Sequence, residues 1–504
     1  MKISIELGSI LDVSCDLLVV NLFKGVEKLG GATGTVDKAL GGAISELISQ
    51  DKFQGKFGEK LLFPTFGKIK AHKVCVLGLG DRKDFKLDTV RKAGGCLVRI
   101  AREAKANKVV TILHGAGVGG LQTDEAAEAL AEGLLLGSYE FKYHFGTGRK
   151  EEMKSKGPKD VLILETEKSK IKPAMQGLAK ADILSRATSF ARDLVNTSPR
   201  HMTPIELVTA AKTLLGRGTG IKCTVYDREK MERMGMGAAL AVAEGSVHPP
   251  YAVHLSYSKR KRPKKVIAVV GKGVTFDSGG LSLKPSKSMT TMKCDMSGAA
   301  AVLGLFKALS ELDLSVEVHG IFIGVENMPS GNAYRPGDVV QAMNGMTIEI
   351  LDTDAEGRVT LADALSYAVK RVKPDAIIDL ATLTGACVVA LGEEITGLMS
   401  NNSTLTKSVL KASQSAGEDI WELPLPDQYN EPIKSKIADM NNTGGYDAGA
   451  IKAGLFLKKF VDNIPWVHLD IAGPAYCEKE TRPDTPYGGT GVGVRTLVRY
   501  LESL

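Results

Sequence analysis

Three carboxylates, those of Asp352, Asp354 and Glu356, stand at alternate positions of the chain, and Arg358 follows two residues later. The apolar run before them predicts a strand, and in an extended segment residues at i, i+2 and i+4 point to one face. Like charges held so closely are costly unless cations neutralise them or one carboxyl group keeps its proton. Hard divalent cations with oxygen ligands are the usual solution in proteins. The spacing therefore predicts a metal site.

A second segment with reactive side chains follows the strand-like run 264–270. Its glycines allow unusual backbone geometry close to a ligand. Asp277 and Asp295 supply carboxylates, and Lys272 and Lys284 supply amines. Two acidic loops at strand ends, with cationic side chains between the acids, predict a metal-centred site that handles an anionic transition state.

Both segments resemble a known family. Residues 353–358, Thr-Asp-Ala-Glu-Gly-Arg, resemble the signature of the leucine aminopeptidase family, the two-metal cytosolic aminopeptidases, and residues 272–295 resemble its other site segment. Three more blocks resemble the family in the same order: 196–199, 380–386 and 466–473. The resemblance is strong over residues 175–504, whereas the N-terminal third matches in size and general pattern.

The resemblance implies a metallo-aminopeptidase that hydrolyses short peptides with a free N-terminus and releases leucine and other mainly apolar residues. It implies two divalent metal ions per subunit, Mn²⁺ or Zn²⁺, which activate a water as the nucleophile. It also implies a bicarbonate and a homohexamer. Residues that would hold the metals are Lys272, Asp277, Asp295, Asp354 and Glu356. Residues with catalytic roles would be Lys284, which would stabilise the gem-diolate formed by attack on the carbonyl group, and Arg358, as the bicarbonate anchor. Residues that would contact the substrate are Met292, Leu383, Gly385 and Ala472.

One position departs from the family's pattern, because Asp352 stands where the family usually has Asn. If ionised, Asp352 would add negative charge near the metals, whereas a protonated carboxyl group would imitate the amide. The neighbouring acids already load the site with negative charge, so we expect Asp352 to keep its proton.

Length and patterning predict the architecture. A chain of 504 residues exceeds one ordinary core, so two domains or more are expected. Alternating strand-like and helix-like segments predict an α/β fold; among them are a helix over residues 36–49 and strands over residues 251–257 and 376–381. We expect a smaller N-terminal domain with a mixed, macro-domain-like sheet and its linker over residues 1–172. A larger catalytic domain, with a mainly parallel central sheet flanked by helices, is expected over residues 173–504. The charged segment 168–173 is interpreted as the linker.

Charge and cysteine usage bound the partners and the compartment. The net charge of +7 is mild for this length and gives little support to a dedicated nucleic-acid binder. Because some bacterial family members bind DNA, a DNA-binding or nucleotide-recognition protein acting through the N-terminal domain stays open as the alternative. No signal peptide or membrane span is visible, and seven scattered cysteines predict a reducing cytoplasm. His468, within an apolar run, is interpreted as a satisfied core histidine.

Overall fold

A computed structural model describes residues 1–117, 119–153, 157–260 and 262–504. The chain divides into two compact units. Unit 1 comprises Met1–Ser185 and Lys479–Pro486, and unit 2 comprises Arg186–Glu478 and Tyr487–Leu504. The segment 168–173, interpreted as a linker, instead begins a helix that extends over Lys168–Asn196. The domain boundary at residues 172 and 173 stays a prediction.

Unit 1 is built on one six-stranded sheet. Its strands are β1 (Lys2–Leu7), β2 (Cys15–Leu22), β3 (Lys60–Pro64), β4 (Ala71–Gly78), β5 (Lys108–Ile112) and β6 (Asp160–Glu165). Its helices are α1 (Gly31–Ala39), α2 (Ala43–Gln50), α3 (Leu87–Ala104), α4 (Thr123–Gly137), α5 (Lys150–Met153) and the start of α6 (Lys168–Asn196). The strand order is β1-β6-β5-β2-β4-β3, and only the β3–β4 pair is antiparallel.

Alternate residues of β2 point into two different cores. Leu17 and Val19 pack in a cluster with residues of α3 and α4, whereas Leu18 and Val20 pack in a cluster with residues of α1 and α2. The middle of β2, buried on both faces, is therefore apolar at four successive positions, as expected for parallel strands covered by helices.

One helix of unit 1 differs from its prediction. Residues 36–49 were expected to form a single helix, but α1 ends at Ala39 and α2 begins at Ala43. Gly41 and Gly42 between them have φ of 71° and 87°. Glycine adopts this left-handed region without the steric cost of a Cβ atom, so the pair breaks the helix.

Unit 2 contains the larger sheet. Its strands are β7 (Ile221–Tyr226), β8 (Tyr251–Tyr257), β9 (Val266–Asp277), β10 (Glu317–Asn327), β11 (Val339–Gln341), β12 (Thr347–Glu349), β13 (Ala376–Ala381), β14 (Thr396–Ser400), β15 (Ile420–Glu422), β16 (Met440–Asn441), β17 (Trp466–Asp470), β18 (Tyr476–Cys477) and β19 (Gly488–Gly489). Its helices are α7 (Pro204–Thr213), α8 (Arg228–Arg233), α9 (Gly237–Ala243), α10 (Ser286–Met289), α11 (Ser297–Leu309), α12 (Glu356–Tyr367), α13 (Gly385–Leu391), α14 (Ser403–Ala416), α15 (Gly449–Lys458) and α16 (Val494–Glu502).

Eight of these strands form a sheet in the order β15-β14-β17-β13-β9-β10-β8-β7. The central strands β17, β13, β9 and β10 are mutually parallel. Their carboxyl ends therefore meet at one edge, where open α/β sheets place their ligands. The predicted fold class, two α/β domains with a mainly parallel catalytic sheet, is confirmed.

Two local expectations for the acidic segments are wrong. Lys272 and Asp277 lie within β9 rather than in a loop after it. Asp352, Asp354 and Glu356 do not alternate along a strand, because β12 ends at Glu349 and α12 begins at Glu356. The Asp352 carboxylate accepts a hydrogen bond from the Asp354 N–H at 2.9 Å, a side-chain turn that bends the chain toward the helix.

No helix in the described parts of the chain combines the length and the apolar character needed to cross a lipid bilayer.

Candidate metal centre

Three acids from two segments converge in unit 2. Asp277 is the last residue of β9, Asp354 lies in the turn before α12, and Glu356 is the first residue of that helix. One carboxylate oxygen from each lies within 4.8 Å of the others. Asp277 and Glu356 are buried, whereas Asp354 is half-buried and reaches solvent. Oxygens at such spacing can share one cation or two adjacent cations.

Close backbone packing brings a fourth acid to the group. A Cβ atom on Gly271 would collide with the backbone of Gly298. A Cβ atom on Gly298 would lie only 2.6 Å from the backbone nitrogen of Lys272. The absence of both side chains lets the start of α11 lie directly on β9. Asp295, in the 3-10 turn just before α11, is thereby held against Lys272.

Two lysines lie between the acids. Lys272 Nζ is 2.7 Å from Asp295 Oδ1 and 2.8 Å from Glu356 Oε1. Lys284 Nζ is 2.9 Å from Asp277 Oδ2 and 2.5 Å from Asp354 Oδ1. Burial works to lower the pKa of both amines, but the charges of the neighbouring carboxylates outweigh it and raise each pKa.

The acids are held in an environment that disfavours their charge. Burial, together with the charge of Asp277, raises the pKa of Asp354 to about 7. Burial also raises the pKa of Asp295 despite the opposing charge of Lys272. Asp295 Oδ2 is buried and finds no hydrogen-bond partner among the residues that the structure describes. An oxygen-rich donor set with excess negative charge and an unpartnered carboxylate oxygen fits divalent cations.

Arg358 is a buried cation of a different kind. It is 8% exposed, and its Nε has no hydrogen-bond partner. Within the part of the chain that the structure describes, no ion pair holds its guanidinium, although Glu356 and Asp470 act on it electrostatically. A buried, unpaired guanidinium beside a cavity is suited to binding an anion.

Asp277, Asp295, Asp354 and Arg358 line a cavity of about 920 Å³. All the predicted site residues except Glu356 line it: Lys272, Asp277, Lys284, Met292, Asp295, Asp354, Arg358, Leu383, Gly385 and Ala472. Much of the lining falls into two groups of residues. The strand-end wall consists of residues 382–385 and Ala472, and the outer wall consists of residues 388–390 and 445–451. The roles of the predicted site residues in metal and substrate binding stay predictions.

Comparison with known proteins identifies the family. The model of the cytosol aminopeptidase family catalytic domain matches residues 189–498, and that of its N-terminal domain matches residues 19–143. This chain belongs to the cytosol aminopeptidase family. It is therefore a metallo-aminopeptidase. This confirms the family resemblance and the enzyme class that it implied.

Relatives match over nearly the whole length. A probable cytosol aminopeptidase of Sulfurihydrogenibium sp. is 44% identical, with 99% of this chain and 98% of the relative covered. Another, of Persephonella marina, is 45% identical, with 99% of each chain covered. A tomato leucine aminopeptidase mutant superposes with a TM-score of 0.89 at 34% identity, over 100% of this chain and 97% of that one. The bottromycin maturation enzyme BotP in complex with Mn gives 0.84 at 34% identity, over 97% and 99%.

Sequence reasoning missed three polar residues that support this aminopeptidase site. Asn327 donates to Asp277 Oδ1 at 2.8 Å, and Thr382 donates to Asp295 Oδ1 at 2.7 Å. Asp470 accepts hydrogen bonds from the strand-end wall. Each lies at or just after the end of a strand that neighbours β9 or β13. A polar residue at the end of an apolar strand was the feature of the sequence that could have identified them. His468 is a core residue as interpreted, but its Nε2 lacks a partner, so it is not fully satisfied.

The unusual Asp352 acts as a hydrogen-bond acceptor in the enzyme. Its Oδ1 accepts from the Asp354 N–H, and an asparagine Oδ1 could accept the same bond. We expect Asp352→Asn to leave kcat/KM within about twofold of wild type, because the turn is preserved, whereas Asp352→Ala should lower it. Steady-state kinetics and metal content check this. A large change in either quantity for Asp352→Asn would contradict it. The expectation that Asp352 keeps its proton stays a prediction.

Proposed function

We propose that this chain is a two-metal aminopeptidase that removes leucine and other mainly apolar residues from the N-termini of short peptides. The observation that carries the proposal is the convergence of Asp277, Asp354 and Glu356, two of which line the cavity. Family membership supports the same reading.

The residues proposed to hold two divalent cations are Lys272, Asp277, Asp295, Asp354 and Glu356. When bound, Mn²⁺ or Zn²⁺ would polarise the peptide carbonyl group and make a water nucleophilic near neutral pH. The relative solved with Mn favours manganese as the first metal to try. Lys272 can offer a lone pair only when neutral, a form that neighbouring cations favour over the ammonium.

The chain's own groups then orient the peptide. Lys284 Nζ, 2.9 Å from Asp277 Oδ2, is placed to donate a hydrogen bond to the carbonyl oxygen as it gains negative charge. Asp295 Oδ2, which lacks a protein partner, is available to the free α-amine of the substrate. The backbone groups of Leu383 and Gly385 would align the peptide chain. Because the α-amine belongs to the same residue as the carbonyl group that is attacked, a site that holds this amine limits cleavage to the first peptide bond.

The apolar preference rests on the lining of the cavity. Met292, Leu383 and Ala472 bring apolar atoms to the surface that the first side chain would contact. Burial of an apolar side chain there contributes roughly 1.5–3 kcal/mol. A leucine side chain therefore gains more than a small or charged one.

The proposal requires a free amine on the substrate, and a blocked amine tests it. We expect the enzyme to hydrolyse leucine amide after loading with Mn²⁺ and to leave N-acetyl-leucine amide intact. Release of ammonia from both compounds measures the difference. Leucine amide incubated with chelator-treated enzyme is the control for metal dependence. Efficient hydrolysis of the acetylated compound would show an amidase instead.

Arg358 is proposed to hold a bicarbonate. Such an anion would supply a group that takes and returns a proton, because the nearby carboxylates are engaged with the cations. The buried guanidinium without an ion pair supports this role.

Replacement of this arginine separates the anion from the metals. We expect Arg358→Ala to lower kcat by about 10- to 100-fold without loss of bound metal, because Arg358 is not a ligand. Kinetics with and without added bicarbonate, together with metal content, check this. Arg335→Ala is the control, since Arg335 is exposed and pairs with Asp338 outside the cavity. Undiminished turnover in Arg358→Ala would contradict the anchor role.

A further inference from the structure

A buried carboxylate outside the metal cluster holds the strand-end wall. Asp470, the last residue of β17, is fully buried. Its Oδ1 accepts hydrogen bonds from the Leu383 N–H at 3.2 Å and from the Ala472 N–H at 3.1 Å. Its Oδ2 accepts from the Thr384 hydroxyl at 2.7 Å. No cation in the described residues forms an ion pair with it, although Arg358 acts on it electrostatically, and these three donors are its hydrogen-bond partners.

All three donors belong to the strand-end wall. Leu383 and Thr384 follow β13, and Ala472 follows β17. The two strands are paired in parallel with Ala381 beside Asp470, so one carboxylate reaches both segments. One carboxylate thus ties together both segments of the wall.

The wall is also fixed at its other end. The Thr382 hydroxyl donates to Asp295 Oδ1 at 2.7 Å, and the Thr382 carbonyl accepts from Lys272 Nζ at 2.9 Å. Thr384 Oγ1 accepts from the Cys387 N–H at 3.1 Å and so begins α13. Residues 382–384 are therefore hydrogen-bonded both to the proposed metal ligands and to Asp470, and these bonds restrict their backbone.

We propose that Asp470 is a positioning residue that fixes the peptide-binding backbone of Leu383 and Gly385 relative to the metal cluster. This rests on the proposed function, in which these backbone groups align the substrate. An ionised carboxylate only accepts hydrogen bonds, so it serves all three donors at once. An asparagine could keep its oxygen toward the two N–H groups only by turning its own N–H toward the Thr384 hydroxyl, which would then have to accept rather than donate. Among the described residues, no hydrogen bond or ion pair joins the Asp470 side chain to a proposed metal ligand, so its loss should affect peptide binding more than metal binding.

The test is a split between KM and kcat. With leucine-containing dipeptides and Mn²⁺-loaded enzyme, Asp470→Asn should raise KM about tenfold while kcat stays within about threefold, as expected for mispositioned backbone donors and acceptors. Metal content should equal that of wild type. An unchanged KM, or a loss of bound metal, would overturn the proposal.

A matched control separates positioning from stability. Asp379 is equally buried and lies on the neighbouring strand β13, but its carboxylate accepts from Trp466 Nε1 at 2.7 Å and from His468 Nδ1 at 2.6 Å. Neither partner lines the cavity. Asp379→Asn and Asp470→Asn should both lower Tm, but only Asp470→Asn should raise KM. An equal rise in KM for both variants would overturn the positioning role.

Thr384 gives a second route if Asp470→Asn does not fold. Thr384→Val removes the hydroxyl that donates to Asp470 and should raise KM. Thr384→Ser keeps the hydroxyl, so its KM should equal that of wild type. Failure of the serine variant to restore KM would overturn the proposal. Wild-type enzyme measured alongside keeps the two hypotheses apart: if it lacks metal-dependent aminopeptidase activity, the proposed function fails, whereas normal wild-type activity with an unaltered variant KM removes only the role of Asp470.

Discussion

Replacing Glu356 with glutamine is expected to abolish aminopeptidase activity while the fold is retained. The substitution keeps the size of a side chain that is 1% exposed, but it removes one of the three converging carboxylates. A neutral amide binds a hard cation far more weakly, so kcat/KM should fall on the order of 10³-fold. Leucine amide hydrolysis at saturating Mn²⁺, with metal content measured in parallel, gives the result.

Glu349→Gln is the matched control for this experiment. Glu349 lies in β12, and its carboxylate accepts from the Ser435 hydroxyl at 2.5 Å, outside the metal cluster. It should retain near-normal activity. Near-normal turnover of Glu356→Gln at saturating metal would show that Glu356 is not a ligand.

Gly357→Ala is expected to disable the site through a single methyl group. A Cβ atom there would lie 2.6 Å from Lys272 Cε and 2.7 Å from Lys272 Nζ. Lys272 is buried between Asp295, Glu356 and the Thr382 carbonyl, so its amine has to leave these partners. Displacement of a site group by about 1 Å can cost 10²-fold in rate, and we expect a loss of kcat/KM of about that size.

Stability should behave differently from activity in this variant. Alanine is the better helix former, so α12 itself is not weakened. Kinetics, metal affinity and Tm should be compared with those of Gly331→Ala, because a Cβ atom at Gly331 meets nothing within 4 Å. Full activity of Gly357→Ala would mean that Lys272 can move without consequence, which would remove it from the proposed ligand set.

Much of the fold follows from local pattern. Strands β8 and β13 have the predicted bounds, because each is a short run rich in apolar and β-branched residues between turn-forming segments. The helix expected over residues 36–49 failed at a glycine pair, a signal that was present in the sequence. The extent of β9 through Asp277 was not local, because its far end is a strand only through pairing with β10.

The site was less accessible to residue spacing alone. Asp354 and Glu356 were found by their spacing, although the alternation used to explain it was wrong. The approach of Asp295 to Lys272 depends on contact between Gly271 and Gly298, which are far apart in sequence. Only the family resemblance predicted that Asp295 and Lys272 belong to the same site. Single polar residues such as Asn327 and Asp470 carry no pattern of their own, and strand order alone reveals that their strands flank the site.

The two walls of the cavity differ in what holds them. The strand-end wall is tied by hydrogen bonds to Asp295 and Asp470, whereas the outer wall presents side chains with little support, such as Val389 at 86% exposure and Tyr446 at 96%. Mutation can therefore alter the outer wall without disturbing the acids. Directed evolution of substrate range should succeed at residues 388–390 and 445–447, and duplicated genes descended from this one should diverge there first.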